Sequence, residues 1–155
     1  MTYPIISADS HITEAPDTYV DNIDKAWRDK APRIVSTDKG DVFQIDGMAR
    51  PIHLGLVAAA GKPPESITTT GVRFEDLHRG GWDPDARMAD QVRDGVAAEV
   101  IYPTVGMLLC NHPSYDYQKA CFDAYNRWIA AYCDRHPTRL LGCGQTAGRS
   151  PAEMI

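Results

Sequence analysis

Apolar and polar residues alternate from Pro4 to Ile12, in the run PIISADSHI, and this period of two predicts a first β-strand. Strict alternation puts Ile6, Ala8, Ser10 and Ile12 on one face and Ser7, Asp9 and His11 on the other. Residues 13 to about 81 follow no such rule. They begin with a helical patch near Asp17 to Arg28. Apolar runs then flank Asp38-Lys39-Gly40-Asp41, and another follows Asp46-Gly47, which predicts a small antiparallel hairpin or meander. The Gly-, Pro- and Thr-rich run GLVAAAGKPPESITTTG reads as loop. This whole segment looks like an insertion after the first strand, too rich in loop to build a core of its own.

Regular patterning returns in GGWDPDARMADQVRDGVAAEVIYPTVGM. Asp83 suits a helix N-cap, Pro84 the first helical position, and Gly95 the left-handed residue that ends a helix. Ala97 to Tyr102 is then a short apolar strand, stopped by Pro103. After a loop, a longer helix is expected from Ser114 to about Arg135. Tyr117, Cys121, Ala124, Tyr125, Trp128, Ile129 and Tyr132 recur there at helical spacing and form a core stripe. Arg139 to Thr146 is the third strand, and Ser150-Pro151-Ala152-Glu153 is the opening of another helix. A helix capped and then broken off reads as a cut chain.

Strand, insertion, helix, strand, helix, strand, helix start is the order that gives parallel sheets with right-handed crossovers. ISADSHITEAPD contains no glycine, so a nucleotide-binding phosphate loop after the first strand is not supported. A β/α barrel has eight strands and ~250 residues. The expectation for these 155 residues is therefore an α/β fold of one incomplete domain, the front part of a TIM barrel with about three strands and the insertion at about 13–81.

Composition narrows the function classes. A hydrophobic content of 43% and a charged content of 24% are those of an ordinary globular chain. A net charge of -5 with no Lys/Arg cluster argues against nucleic-acid and anionic-membrane partners. No run approaches the ~18 apolar residues of a membrane span, and MTYPIISADSH is not a leader peptide, so a cytoplasmic location is expected. Cys110, Cys121, Cys133 and Cys143 form no CxxC pair and read as small buried thiols, with Cys143 inside the third strand.

Candidate chemistry enters at the end of the first strand. In a barrel the active site lies at the carboxyl ends of the strands. Asp9 and His11, one pleat repeat apart, would both face the barrel mouth, where a carboxylate and an imidazole can share a divalent cation at about 2.0–2.2 Å. Ile6, Ala8 and Ile12 would then pack beneath the helices. Alone, Asp-x-His is a weak signal, because a structural Asp–His hydrogen bond explains it equally.

The pieces ISADSHITE, GGWDPDARMADQVRDGVAAEVIYPTVGM, AYNRWIAAYC and PTRLLGCGQT, in this order, resemble the amidohydrolase-related branch (amidohydrolase family 2) of the amidohydrolase superfamily. The resemblance implies a metal-dependent barrel acting as a hydrolase of lactones and related substrates, or as a non-oxidative decarboxylase of aromatic or unsaturated acids. It places Asp9 and His11 at the two-ligand motif of the first strand. The family completes its site with a later histidine and aspartate that have no counterpart here, so this chain alone is expected to be inactive. Zinc is the expected metal, with manganese or magnesium as alternatives because an oxygen ligand is present. A small carboxylate or lactone is the expected substrate. A different class of reading is a non-catalytic binding or oligomerisation module, since an open sheet edge invites association with another copy.

Two further residues are catalytic candidates. Glu14, in the first loop, could orient ligands or substrate, and His112 follows the second strand at the end that faces substrate. His53 and His78 read as surface residues of the insertion, and His136 as a helix-ending residue. Arg50, Arg73 and Arg79 could meet an acidic substrate but nothing selects one of them. Asp83, Arg87 and Asp94 are expected to cap and to form ion pairs.

Overall fold

The computed structural model describes residues 3–154. Strand β1 (Ile5–His11) is followed by helix α1 (Asp17–Val20), strands β2 (Arg33–Thr37), β3 (Gly40–Gln44) and β4 (Ile52–His53), and helix α2 (Leu54–Val57). Then come α3 (Pro84–Asp94), β5 (Val96–Tyr102), α4 (Val105–Leu109), α5 (Tyr115–Cys133), β6 (Leu140–Gly142) and α6 (Pro151–Met154). Two sheets result: a parallel one in the order β1-β5-β6, and an antiparallel one in the order β2-β3-β4. Helix α3 joins β1 to β5 and α5 joins β5 to β6, the alternation read from the sequence. Among the described residues the parallel sheet stays open at β1 and at β6, and no closed barrel is formed.

Local chemistry sets these boundaries. The Asp83 carboxylate accepts from the amides of Asp85 and Ala86, which would otherwise be unpaired at the start of α3. Pro84 gives up no needed donor there. Gly95 ends the helix at φ 70, a conformation in which a Cβ would collide with its own carbonyl. Ser114 caps α5 by accepting from the Tyr117 amide. The predicted helical stripe of α5 is the centre of the core: Tyr117, Cys121, Ala124, Tyr125, Ile129 and Tyr132 are all buried. Each large side chain moved from water into such a core contributes about 1.5–3 kcal/mol.

The hairpin-like segment does not stand apart. Phe43, Ile45, Leu54, Val72 and Leu77 join Ile101, Tyr125 and Leu140 in one apolar cluster. The insertion therefore shares the core of the parallel sheet and has none of its own. Several sequence-based boundaries shift. The patch at Asp17 to Arg28 is a single turn of α-helix plus a 3-10 turn at Lys25–Lys30, and short helices α2 and α4 occupy stretches read as loop. The third strand covers only Leu140–Gly142, so Cys143 lies just past it. Cys121 is buried as expected, but Cys110 is exposed, because α4 turns it outward at its C-terminal end.

One packing expectation is overturned. Ile6 is 56% exposed and Ala8 is also exposed, while Ile12 alone of that set is fully buried. The helices cover the other side of the sheet. Glu99 meets Arg87 of α3, and Ile101 and Leu140 enter the core. Ile6 is in register with Ala98, one residue out of phase with Glu99, so it faces away from the helices. A bulge between Ser7 and Ser10 then sets three steps of β1 against two of β5 and brings their hydroxyls within 2.8 Å. Strict period two does not survive it.

Asp83→Ala should lower stability by about 1 kcal/mol in chemical denaturation, because two helix-end amides and Arg79 lose their acceptor. Retention of wild-type stability would show that water replaces the cap without loss.

Candidate functional site

The functional reading centres on the place where β1 stops. Asp9 Oδ1 lies 3.6 Å from His11 Nε2, so the bulge leaves the two side chains facing each other. His11 Nδ1 lies 3.0 Å from the Pro103 carbonyl oxygen. A carbonyl only accepts, so Nδ1 carries the proton and the lone pair of neutral His11 sits on Nε2, beside the carboxylate. That is the arrangement in which an imidazole binds a cation, with its second nitrogen tied to a backbone oxygen. Asp9 is largely solvated and His11 partly so, and the His11 ring packs 5.9 Å from the Tyr102 ring, its register partner on β5.

The backbone under this pair is clamped from several sides. Arg87 donates through Nη2 to the His11 carbonyl at 2.7 Å, through Nε to Gly80 at 2.9 Å, and through Nη1 to Glu99 at 2.8 Å. The Ile12 amide donates to Tyr102 and the Thr13 amide to Gly81. Arg87 thus forms the ion pair expected of it, and it also fixes the β1 terminus. Asp83 and Asp94 likewise cap or pair, with Arg79 and Arg93.

Glu14 comes next and is completely buried. Its Oε1 accepts from the amides of Thr104 and Gly106, and its Oε2 from the amide of Val105, at 3.0–3.1 Å. Tyr19 donates its hydroxyl to Oε1 at 3.5 Å. Burial pushes the Glu14 carboxyl above the usual carboxylate range, and the backbone amides pull it part of the way back. Burial and the adjacent Glu14 charge also raise the Tyr19 phenol well above its ordinary value. Glu14 therefore welds the β1 exit to the β5 exit, which is a positioning role. No loop acid free to meet substrate remains there.

His112 is held elsewhere. Its Nε2 donates to the Asp46 carbonyl at 2.8 Å, its Nδ1 accepts from the Ser114 amide at 3.1 Å, and its ring packs 4.4 Å from Tyr117. Both nitrogens serve the junction between the meander and α5. His78 pairs with Asp90 at 2.6 Å, His136 with Asp85 at 2.8 Å, and Arg73 with Asp41 at 2.8 Å. His53 is only half-buried and its Nδ1 is enclosed without a partner, which an ordinary surface residue would not be. Arg50 is exposed.

A cleft of about 570 Å³ adjoins His11 and is lined also by Thr13, His78, Asp90, Glu99 and Thr104. It runs along α3, past Arg87, Arg93 and Asp94. Among the described residues, no three His, Cys, Asp or Glu side chains converge into a metal cluster. By donor type and by tautomer, Asp9 and His11 are two groups that could hold a divalent cation. No helix of the described residues is long and apolar enough to cross a membrane.

No family model and no curated protein matches the chain. Among solved structures, an amidohydrolase from Mycobacterium avium subsp. paratuberculosis superposes with a TM-score of 0.62 at 20% identity. The superposition covers 93% of this chain and 43% of the amidohydrolase, so the chain spans less than half of that structure's length. The likeness shows that the chain has an amidohydrolase-like fold over nearly all its length.

Glu14→Ala should cost about 3 kcal/mol or more, since it leaves three buried amides without an acceptor. Glu14→Gln tests the charge separately. Because burial raises the folded carboxyl above its unfolded value, the wild type should gain on Glu14→Gln as pH falls from 7 towards 4.5, in paired denaturation curves. A wild-type advantage that shrinks on acidification would mean that the amides outweigh burial.

Proposed function

We propose that the chain is the first part of a metal-dependent hydrolase of the amidohydrolase-related branch, with Asp9 and His11 as the cation ligands of its first strand. The observation that carries this reading is the His11 imidazole, protonated on Nδ1 against Pro103 and open on Nε2 beside Asp9, at the carboxyl end of a parallel strand. The amidohydrolase-like fold supports it.

A divalent cation bound there, zinc first and manganese or magnesium next, would supply Lewis acidity that polarises a substrate carbonyl or lowers the pKa of water. The chain's own residues prepare that place. Pro103 keeps the His11 proton on the nitrogen away from Asp9. Arg87 holds the His11 carbonyl, and Glu14 holds the segment from Thr104 to Gly106 that follows Pro103, so the His11 ring is held in its orientation before any ion arrives. Substrates in keeping with the open, partly polar surroundings are small carboxylates or lactones. Two protein donors leave a cation largely hydrated, and the groups that would shuttle protons are not assembled here, so these 155 residues alone should turn over little or no substrate.

Metal analysis after dialysis against zinc should show bound metal in the wild type and a loss of at least about tenfold in affinity for Asp9→Ala and for His11→Ala. Undiminished binding in both variants would refute the assignment. Lactone hydrolysis and CO2 release from aromatic acids, followed in a chain long enough to be active, separate the hydrolase from a decarboxylase on the same scaffold.

A further inference from the structure

A second cleft, of about 620 Å³, lies between the start of α3 and the last turns of α5, and none of the residues lining it belongs to a strand. Its walls come from the helical side of the parallel sheet, away from Asp9, His11 and both open sheet edges. Two aromatic pairs form much of them. Phe74 and Trp82, from the segment leading into α3, have ring centroids 5.3 Å apart, and those of Trp128 and Tyr132 on α5 are 5.4 Å apart. Phe74, Trp82 and Trp128 are only half-buried, so ring surface stays open to an occupant. Small-molecule sites have volumes of ~300–1,000 Å³ and walls of this apolar and aromatic kind.

Charge decides which kind of molecule fits. The lining holds three carboxylates, Asp17, Asp83 and Asp85, and one guanidinium, Arg135. Arg135 is already engaged: its Nη2 donates to Asp85 at 2.7 Å, and His136 Nε2 lies 2.8 Å from the other oxygen of that carboxylate. Asp83 caps α3 and pairs with Arg79. Asp17 is exposed and has no cationic partner among the described residues. An anion would find no uncommitted counter-charge here. A cation finds the Asp17 carboxylate and the faces of the rings, whose quadrupoles attract positive charge. The Arg79 guanidinium already stands 5.8 Å from the Trp82 ring centroid.

From these features we propose that the cleft binds a small organic cation of the quaternary ammonium class, its methyl groups against Trp82 and Trp128 and its charge beside Asp17. Such a cation is bulky enough to fill apolar walls, and aromatic cages are the usual means of recognising it. The site is independent of the reading of Asp9 and His11 as metal ligands.

Titration of the 155-residue chain with choline, followed by tryptophan fluorescence and by isothermal calorimetry, tests the assignment. Two of the chain's three tryptophans line the cleft, so the fluorescence reports on it. The expected result is saturable binding, at least about tenfold tighter than that of dimethylbutanol, the uncharged analogue of choline with carbon in place of nitrogen. Trp128→Leu, which keeps apolar bulk, and Asp17→Asn, at an exposed position, should each weaken choline about threefold or more with the circular dichroism unchanged. If Trp128→Leu fails to fold, Asp17→Asn decides alone. EDTA and His11→Ala should leave choline binding as it is. Equal affinity for choline and its uncharged analogue would overturn the proposal and leave a merely apolar cleft. Tighter binding of benzoate than of choline would overturn it in favour of an anion at Arg135. Undiminished choline binding in Asp17→Asn, or no saturable binding at millimolar choline, would overturn it as well.

Discussion

A single buried carboxylate holds this structure's working end together. Glu14 has left water completely, which for a carboxylate is tolerable only if its oxygens are satisfied. They are satisfied by three consecutive amides at the start of α4, far away in sequence. The contact fixes the separation between the loops after β1 and β5. Everything that makes Asp9 and His11 a candidate site depends on that separation, because the Pro103 carbonyl that sets the His11 tautomer sits one residue before the amides that Glu14 grips.

Arg87 supports the same end from below. Its guanidinium has three acceptors in fixed directions, on Gly80, Glu99 and His11, and so ties α3, β5 and β1 to one plane. A lysine could not reproduce this, having a point charge and no planar fork. The two anchors differ in kind. Glu14 holds loop to loop through backbone donors, whereas Arg87 holds helix to strand through a charge that is partly offset by Glu99. Together they leave the metal-ligand candidates as the solvated tip of a rigid frame.

Much of this was legible in the sequence. Capping at Asp83, Pro84 and Gly95, the helical stripe from Tyr117 to Tyr132, and the turn chemistry at Asp38 to Asp41 are local signals, and they placed α3, α5 and the meander correctly. What failed was non-local. The buried destination of Glu14 lies about ninety residues along the chain, and no local pattern marks it. The face of Ile6 depends on a bulge between Ser7 and Ser10, which a period-two reading cannot contain. His112 was a catalytic candidate by its place after the second strand, and its nitrogens meet Asp46 and Ser114, contacts that exist only once the meander packs on α5. The α4 helix was hidden because five residues carry too little periodicity to be seen.

The exposed side of the sheet follows from the same geometry. Val100 and Tyr102 alternate with Glu99 and Ile101, so with α3 and α5 on one face the other face is left only partly covered. In the amidohydrolase that this chain superposes on, more than half of the polypeptide has no counterpart here. The residues left uncovered, Ile6, Tyr102 and Leu141, are apolar in the main, with Asp9 and His11 beside them. Hydrocarbon on that face stays in water at a cost that only further burial removes, whereas Asp9 and His11 at the strand ends are groups that water serves well.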